Sequence, residues 1–228
     1  MALNALYSLP ALDTQYGLMF YGSLMEGKFQ YYLASFNGNA KASANTNENN
    51  GTKEFVAKVV YAPVKTFNFG LGFDTSSELD QTLAVNDLVG GNFATVAVSG
   101  RRQGFSPDVY FVSGDFSTRF ELMQMRWDDK DVTLQGGYWQ GAYFISGNEQ
   151  AGLQALLRLE TVKLDVSDAS NNADQLNAAT TGLQWFINAN LRNQFNLIAS
   201  QANEDGGMGV YAEKGTRYAV LNELQLKF

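Results

Sequence analysis

The chain has 228 residues, with 22 Gly, 3 Pro, no Cys, no His and a formal net charge of −7. Without Cys the chain cannot form disulfides, and without His it cannot form a Ser-His-Asp triad, a His-ligated zinc site or a histidine general base. The acidic charge argues against nucleic-acid binding, which needs a concentrated basic surface.

The amino-acid mixture predicts an all-β protein. The 11 Tyr and 16 Phe favour strands, while the Gly, Asn, Ser and Thr favour turns. No stretch approaches the roughly 20 apolar residues of a membrane-spanning helix, and mean hydropathy is −0.20, near that of soluble proteins. Both properties fit a β-barrel with a water-filled lumen. The N-terminal residues lack the basic region and apolar core of a cleavable signal, so we expect any export signal to lie outside this numbering.

Predicted strands alternate with turns along the chain. In order, they cover residues 16–25, 28–37, 54–62, 67–76, 105–113, 116–127, 132–146, 153–166, 181–188, 191–200 and 216–228. Residues 38–52 read as a long polar loop, and residues 78–102 as a long excursion with room for a short extra strand at 93–99. Short turns at one end of the strands and mostly longer loops at the other are typical of outer-membrane barrels, whose short turns face the periplasm.

The last predicted strand alternates in polarity up to an aromatic residue at its end, which is how the chains of outer-membrane barrels end. One face would suit lipid and the other water, although a soluble amphipathic strand has the same pattern. The apolar face carries Tyr218, Val220, Leu224, Leu226 and Phe228, and the polar face carries Arg217, Glu223, Gln225 and Lys227.

The number of strands raises a closure problem. With eleven antiparallel strands the first and last run in the same direction, so they cannot pair to close a barrel, and such barrels usually have an even number. Residues 1–15 form an N-terminal lead with at most a partial strand, because Pro10 disfavours one, and residues 16–228 are barrel strands. We therefore expect an N-terminal portion of the barrel to be absent, and the isolated open sheet to be unstable in a bilayer unless it oligomerises or rearranges.

Four groups of residues carry a resemblance to a known family. They are residues 16–31 with 36–38, residues 105–107 with Tyr110 and 114–116, residues 137–147, and residues 182–192. In order and spacing they resemble the phosphate- and polyphosphate-selective porin family, porin O and P. The resemblance covers about residues 16–228 and corresponds to the C-terminal two thirds of the family.

The resemblance implies a homotrimeric anion porin of the bacterial outer membrane with about 16 strands, of which this chain supplies the last eleven. It implies outer-membrane lipid as the surroundings and small anionic or hydrophilic solutes, such as phosphate, as the permeants. In the family, anion choice rests on a constriction loop and on basic residues contributed largely by N-terminal strands. Those strands have no counterpart in this chain.

A diffusion pore needs charged side chains in a wet lumen and neither a catalytic group nor a cofactor. Candidate pore-lining residues lie opposite the apolar face of their strands, and their mixed signs predict cross-strand pairing. These candidates are Lys58, Arg119, Glu121, Arg158, Glu160, Arg217, Glu223 and Lys227. The doublet of Arg101 and Arg102 is the candidate for the outer mouth, where it would attract anions. The alternatives are wall residues that only keep the lumen wet, and a solvated loop for the doublet.

Aromatic residues near strand ends are candidates for the interfacial girdles, or else for a soluble core. The Asp-rich residues 165–174 lack the spacing and glycine of an EF-hand, so no metal site is predicted. Two other classes stay open: a barrel enzyme, for which no carboxylate constellation is recognisable, and a soluble or surface β-domain that binds ligands or adheres. The girdle candidates are Tyr16, Phe20, Tyr61, Phe67, Trp127, Trp139, Trp185 and Phe228.

Overall fold

A computed structural model describes residues 17–36, 53–86, 92–166, 174–203 and 215–227. These residues form eleven strands in one antiparallel sheet, in which each strand pairs with its neighbours in sequence. The predicted all-β class and strand number are confirmed. No helix in this part of the chain is long and apolar enough to cross a membrane. The predicted lead at residues 1–15, and the girdle candidates Tyr16 and Phe228, lie outside the described residues.

The strands agree with the predicted ones in order and approximate position. They are β1 (Gly17–Leu24), β2 (Phe29–Phe36), β3 (Glu54–Val64), β4 (Phe67–Asn86), β5 (Asn92–Ser113), β6 (Phe116–Trp127), β7 (Val132–Asn148), β8 (Ala151–Val166), β9 (Asp174–Asn188), β10 (Leu191–Asn203) and β11 (Gly215–Leu226).

The largest departure from prediction lies between β4 and β5. The predicted excursion is wrong, because β4 continues to Asn86 and β5 begins at Asn92; residues 93–99 are a strand, as the prediction allowed, but as the first part of β5 and not as a separate element. The two strands stay paired throughout, with Gln81 opposite Val98. Period-2 alternation detects only strands that have one apolar face, whereas backbone hydrogen bonds hold this hairpin together whatever its side chains.

Two smaller differences concern loop lengths. β9 begins at Asp174, seven residues before the start of the strand predicted for residues 181–188. The first hairpin turns through residues 25–28 rather than two residues, with Met25 and Glu26 at φ of 55° and 58°. The other predicted short turns occur at residues 65–66, 114–115, 149–150 and 189–190. Together with residues 25–28 these turns define the short-turn rim, and the opposite ends of the strands define the long-loop rim.

The two faces of the sheet differ in chemistry and exposure. One face, here the outer face, holds large apolar side chains that remain exposed, such as Leu157 at 43%, Leu159 at 48% and Trp185 at 57%. The other, the inner face, holds Arg158 between these two leucines, only 6% exposed. A contiguous exposed apolar surface is unstable in water and suits the hydrocarbon of a membrane.

Both faces change polarity toward the long-loop rim. The outer face becomes polar and exposed at Gln124, Arg126, Gln135 and Lys163. At this end, strands β6 to β9 therefore have a polar, exposed outer face and an apolar, buried inner face, as a sheet in a soluble protein does. Trp127 is 2% exposed on the inner face and belongs to an apolar core rather than to a girdle. The core consists of Met123, Met125, Trp127, Val132, Leu134, Val162, Leu164, Val166 and Leu176.

The assignment of the outer face to lipid can be tested by arginine substitution in β9. Leu183→Arg should lower the free energy of unfolding in lipid vesicles by about 2–4 kcal/mol, because the guanidinium enters the apolar band. Gln175→Arg, on the same face but beyond the band, should cost about 0–1 kcal/mol. Urea unfolding followed by tryptophan fluorescence measures both, and equal losses would contradict the assignment.

Candidate pore lining

Strand register brings four of the predicted charges together around Tyr138 on the inner face. The Tyr138 hydroxyl donates to Glu121 Oε2 at 3.0 Å, and the Arg158 guanidinium lies 3.7 Å above the centroid of the Tyr138 ring. Arg158 Nε donates to Glu160 Oε2 at 2.5 Å, and Arg119 Nη2 lies 3.5 Å from Glu121 Oε2. Two cations face two carboxylates, so this cluster is close to neutral.

The direction of pairing differs between the predicted residues. Arg119 and Arg158 each pair with the carboxylate two residues further along their own strand, contrary to the predicted cross-strand pairing. Lys58 does pair across strands, with its Nζ 3.1 Å from Asp108 Oδ2. Lys58 lies on β3 and Asp108 on β5, so the pair spans β4. A side chain at Gly70 would overlap the Asp108 carboxylate, and glycine there leaves it room.

Arg102 lies in β5, not in the predicted excursion, and is buried. It is 1% exposed, pairs with Glu54, and places Nη2 2.8 Å from Asp74 Oδ2. A guanidinium enclosed by two carboxylates is not available to an ion in solution. Arg102 thus ties β3, β4 and β5 together, and its predicted role in attracting anions has no support. Arg101 is exposed on the outer face, and its backbone N–H donates to Asp128 Oδ1 at 2.6 Å.

The three candidates of the last strand follow the alternation predicted for them. Arg217 lies opposite Ser200, and Glu223 opposite Gln194, which places both on the inner face. Glu223 Oε1 accepts a hydrogen bond from Gln225 Nε2 at 2.7 Å. Lys227 directly follows β11, where its backbone N–H donates to the Asn190 carbonyl at 2.8 Å.

Arg192 is a further cation of the lining, not predicted from the sequence, and the register places it on the inner face of β10. Its Nη1 donates to Gln184 Oε1 at 3.1 Å, its Nε donates to Gln225 Oε1 at 3.0 Å, and its guanidinium lies 5.8 Å from the Phe186 ring centroid. Within the described ranges, amides rather than carboxylates hold this cation. The next two residues, Asn193 and Gln194, point to opposite faces and are both polar, so the sequence around Arg192 does not alternate in polarity. Only the pairing of β10 with β9 and β11 shows to which face Arg192 points.

Arg192 borders a polar cavity of ≈ 600 Å³ at the short-turn rim, here called the rim cavity. Three cations line it, Arg119, Arg192 and Lys227, and Glu149 is the one carboxylate among its described lining residues. Side-chain amides, including those of Gln140, Gln154, Gln184 and Gln225, supply most of the remaining polar surface. The rim cavity therefore has an excess of positive charge.

Metal chemistry finds no support in the described ranges. They contain no group of three or more His, Cys, Asp or Glu placed to hold a metal ion. Residues 167–173 of the Asp-rich stretch lie outside these ranges.

An exposed apolar outer face around a charged inner face defines the class of the protein as an outer-membrane β-barrel. Solved structures of the Vibrio cholerae outer membrane protein OmpT have the same fold. A loop L8 deletion mutant gives a TM-score of 0.58 at 10% identity over 83% of this chain and 58% of that one. The form expressed in the outer membrane gives 0.56 at 10% identity over 92% of this chain and 62% of that one.

The chain belongs to the family of phosphate-selective porins O and P, whose family model matches residues 5–217. The suspected family and the outer-membrane location are confirmed. The chain spans 58% and 62% of the OmpT chains compared above, which is less than two thirds of their length. No curated protein matches the sequence at a significant level.

The buried ion pairs of Arg102 lead to a stability prediction. Arg102→Met should lower the free energy of unfolding by about 3–5 kcal/mol, because Glu54 and Asp74 lose the guanidinium that pairs with both carboxylates. Adding Glu54→Gln and Asp74→Asn removes all three charges and should recover most of the loss. Arg126, in an exposed pair with Asp131, is the matched control, and Arg126→Met should cost less than about 1 kcal/mol in the same urea titration. Unchanged stability of the Arg102 variant would rule out this role.

Proposed function

We propose that the chain forms part of the wall of an outer-membrane porin through which small hydrophilic solutes diffuse passively, with a preference for anions such as phosphate. One observation carries the proposal: apart from Arg119, which is paired with Glu121, the rim cavity holds two cations, Arg192 and Lys227, against one carboxylate among its described lining residues. A pore selects by the field that its lining charges present to an entering ion, so a local excess of positive charge favours anions.

The paired charges and the charges that line the rim cavity would act differently on a passing ion. Lys58, Arg119 and Arg158 each have a carboxylate within 3.5 Å and keep the wall hydrated with little net field. Arg192 has amide partners, which fix its guanidinium without neutralising it. It therefore makes the largest contribution to anion preference, and Lys227 adds to it at the same rim. Such a channel needs no cofactor and no catalytic group.

Closure of the pore needs further strands. In the described sheet β1 and β11 are the edges, and antiparallel order makes them run in the same direction. An odd number of additional strands has to pair with both edges. We propose residues 16–228 as one set of porin strands, with residues 1–15 as their lead, in a homotrimer as the family resemblance implies. A soluble β-domain is disfavoured, because it would leave the apolar outer face in water.

Planar-bilayer recording under a KCl gradient tests the anion preference. The parent should give a reversal potential of the sign expected for chloride permeation. The double variant Arg192→Gln with Lys227→Gln should lower the anion-to-cation permeability ratio by roughly threefold, which corresponds to less than about 1 kcal/mol. Arg126→Gln removes a cation from the outer face and should leave the ratio unchanged. A cation-selective parent would refute the proposal.

Phosphate as a permeant has a separate test. Inorganic phosphate titrated into the chloride bath should reduce the chloride current of the parent, because it competes for the same cations. The reduction should be much smaller in the double variant of Arg192 and Lys227. Equal reductions in both proteins would mean that the rim cavity does not bind phosphate, while anion preference itself could still stand.

A further inference from the structure

The outer face has a depression where its apolar band ends. In one row across the sheet, Leu159 lies opposite Ala179, Ala179 opposite Ala199, and Ala199 opposite Tyr218. The two small side chains therefore lie between bulky ones on either side. They form the floor of an outer groove of ≈ 580 Å³, within the range of about 300–1,000 Å³ typical of ligand sites.

The lining of the outer groove changes along the strands. Phe120, Trp139 and Leu159 make its apolar walls. Toward the long-loop rim, the next row begins with Leu122 and Gly137 and is polar from β8 to β11, where it consists of Thr161, Asn177, Gln201 and Thr216. The groove thus runs from the apolar band to the level where the outer face becomes polar, which is the geometry of a lipid chain that ends in a polar linkage.

A cation lies just beyond the polar end of the groove. Lys163 follows Thr161 by two residues on the same face of β8, about 7 Å further along the strand. Its Nζ is 3.6 Å from Asp165 Oδ2, and both side chains are about half exposed, at 47% and 54%. An exposed pair at this distance contributes about 0–1 kcal/mol, so Lys163 can turn to a phosphate at little cost. Gln135, opposite Lys163 on β7, adds an amide donor, while the Gln175 amide on β9 donates to Thr161 Oγ1 at 3.3 Å and to Asn177 Oδ1 at 3.1 Å.

We propose that the outer groove binds one acyl chain of a phosphate-bearing lipid, whose headgroup contacts Lys163. Long loops of outer-membrane barrels face the exterior, so the lipid belongs to the outer leaflet. The apolar walls account for the chain, the row of Thr161 and Asn177 for its polar linkage, and Lys163 for the phosphate. A fixed lipid at this place would fill the depression that the two alanines leave in the wall.

Native mass spectrometry on protein extracted from the outer membrane in mild detergent tests this site. Phosphatidylglycerol and an uncharged diacyl galactolipid with the same chains are titrated separately. The parent should bind one phosphatidylglycerol per chain at least about tenfold more tightly than the galactolipid, a difference of about 1.4 kcal/mol. Lys163→Gln should still bind a lipid but lose this preference, because only the headgroup contact is removed.

Groove-filling variants separate this site from general lipid contact. Ala179→Phe should abolish tight binding of both lipids, and Ala199→Leu is a second variant in case the first does not fold. Ala57→Phe is the matched control, since Ala57 lies on the outer face of β3, opposite Leu33 and Phe73 and away from the groove. Equal affinity of the parent for both lipids would overturn the proposal, as would loss of binding in the Ala57 control. Conversion of oligomers to monomers by Ala179→Phe would assign the groove to a second copy instead.

Discussion

The need to pair every backbone N–H and C=O group within the membrane governs the whole structure. Hydrocarbon offers these groups no water, so a strand in lipid needs a hydrogen-bonded neighbour on each side. In the described sheet, β2 to β10 meet this requirement, while β1 and β11 each have a neighbour on one side only. Because the two edges run in the same direction, they cannot satisfy each other. Strand number, the alternation of faces and the closure of the pore are therefore parts of one constraint.

The same constraint explains why the faces exchange polarity near the long-loop rim. Pairing fixes the alternation of side chains, so along β8 the outer face reads Leu157, Leu159, Thr161 and Lys163. The inner face of the strand changes in the opposite sense, from Arg158 to Leu164, which is fully buried. Where the outer face no longer contacts lipid, apolar side chains on it would be exposed to water, and they lie on the inner face instead, where they form a core. The boundary of the membrane can thus be located on this strand to within about two residues, about 7 Å along it.

Sequence reasoning succeeded where one face of a strand is apolar and failed where it is not. The residues of β6, Phe116–Trp127, were predicted with the same bounds because Phe120 and Leu122 alternate with Arg119 and Glu121. The extension of the β4–β5 hairpin beyond residues 67–76 and 105–113 was missed because pairing between strands need not leave a period-2 pattern in the sequence. Arg102 was taken for a loop charge for the same reason, since its partners Glu54 and Asp74 lie on two other strands. Distances along the chain of 48 and 28 residues separate Arg102 from them, and no local pattern encodes such contacts.

Selectivity in such a wall depends on which charges lack an opposite partner, not on how many there are. The formal net charge of −7 for the chain would by itself favour cations, and the neutral cluster around Tyr138 would favour neither sign. Arg192 differs from Arg158 in its acceptors: glutamine oxygens, rather than a carboxylate, accept its hydrogen bonds. Amide dipoles can hold a guanidinium in place without cancelling its charge. In the proposed porin, this difference in acceptor type separates a structural arginine from one that acts on passing ions.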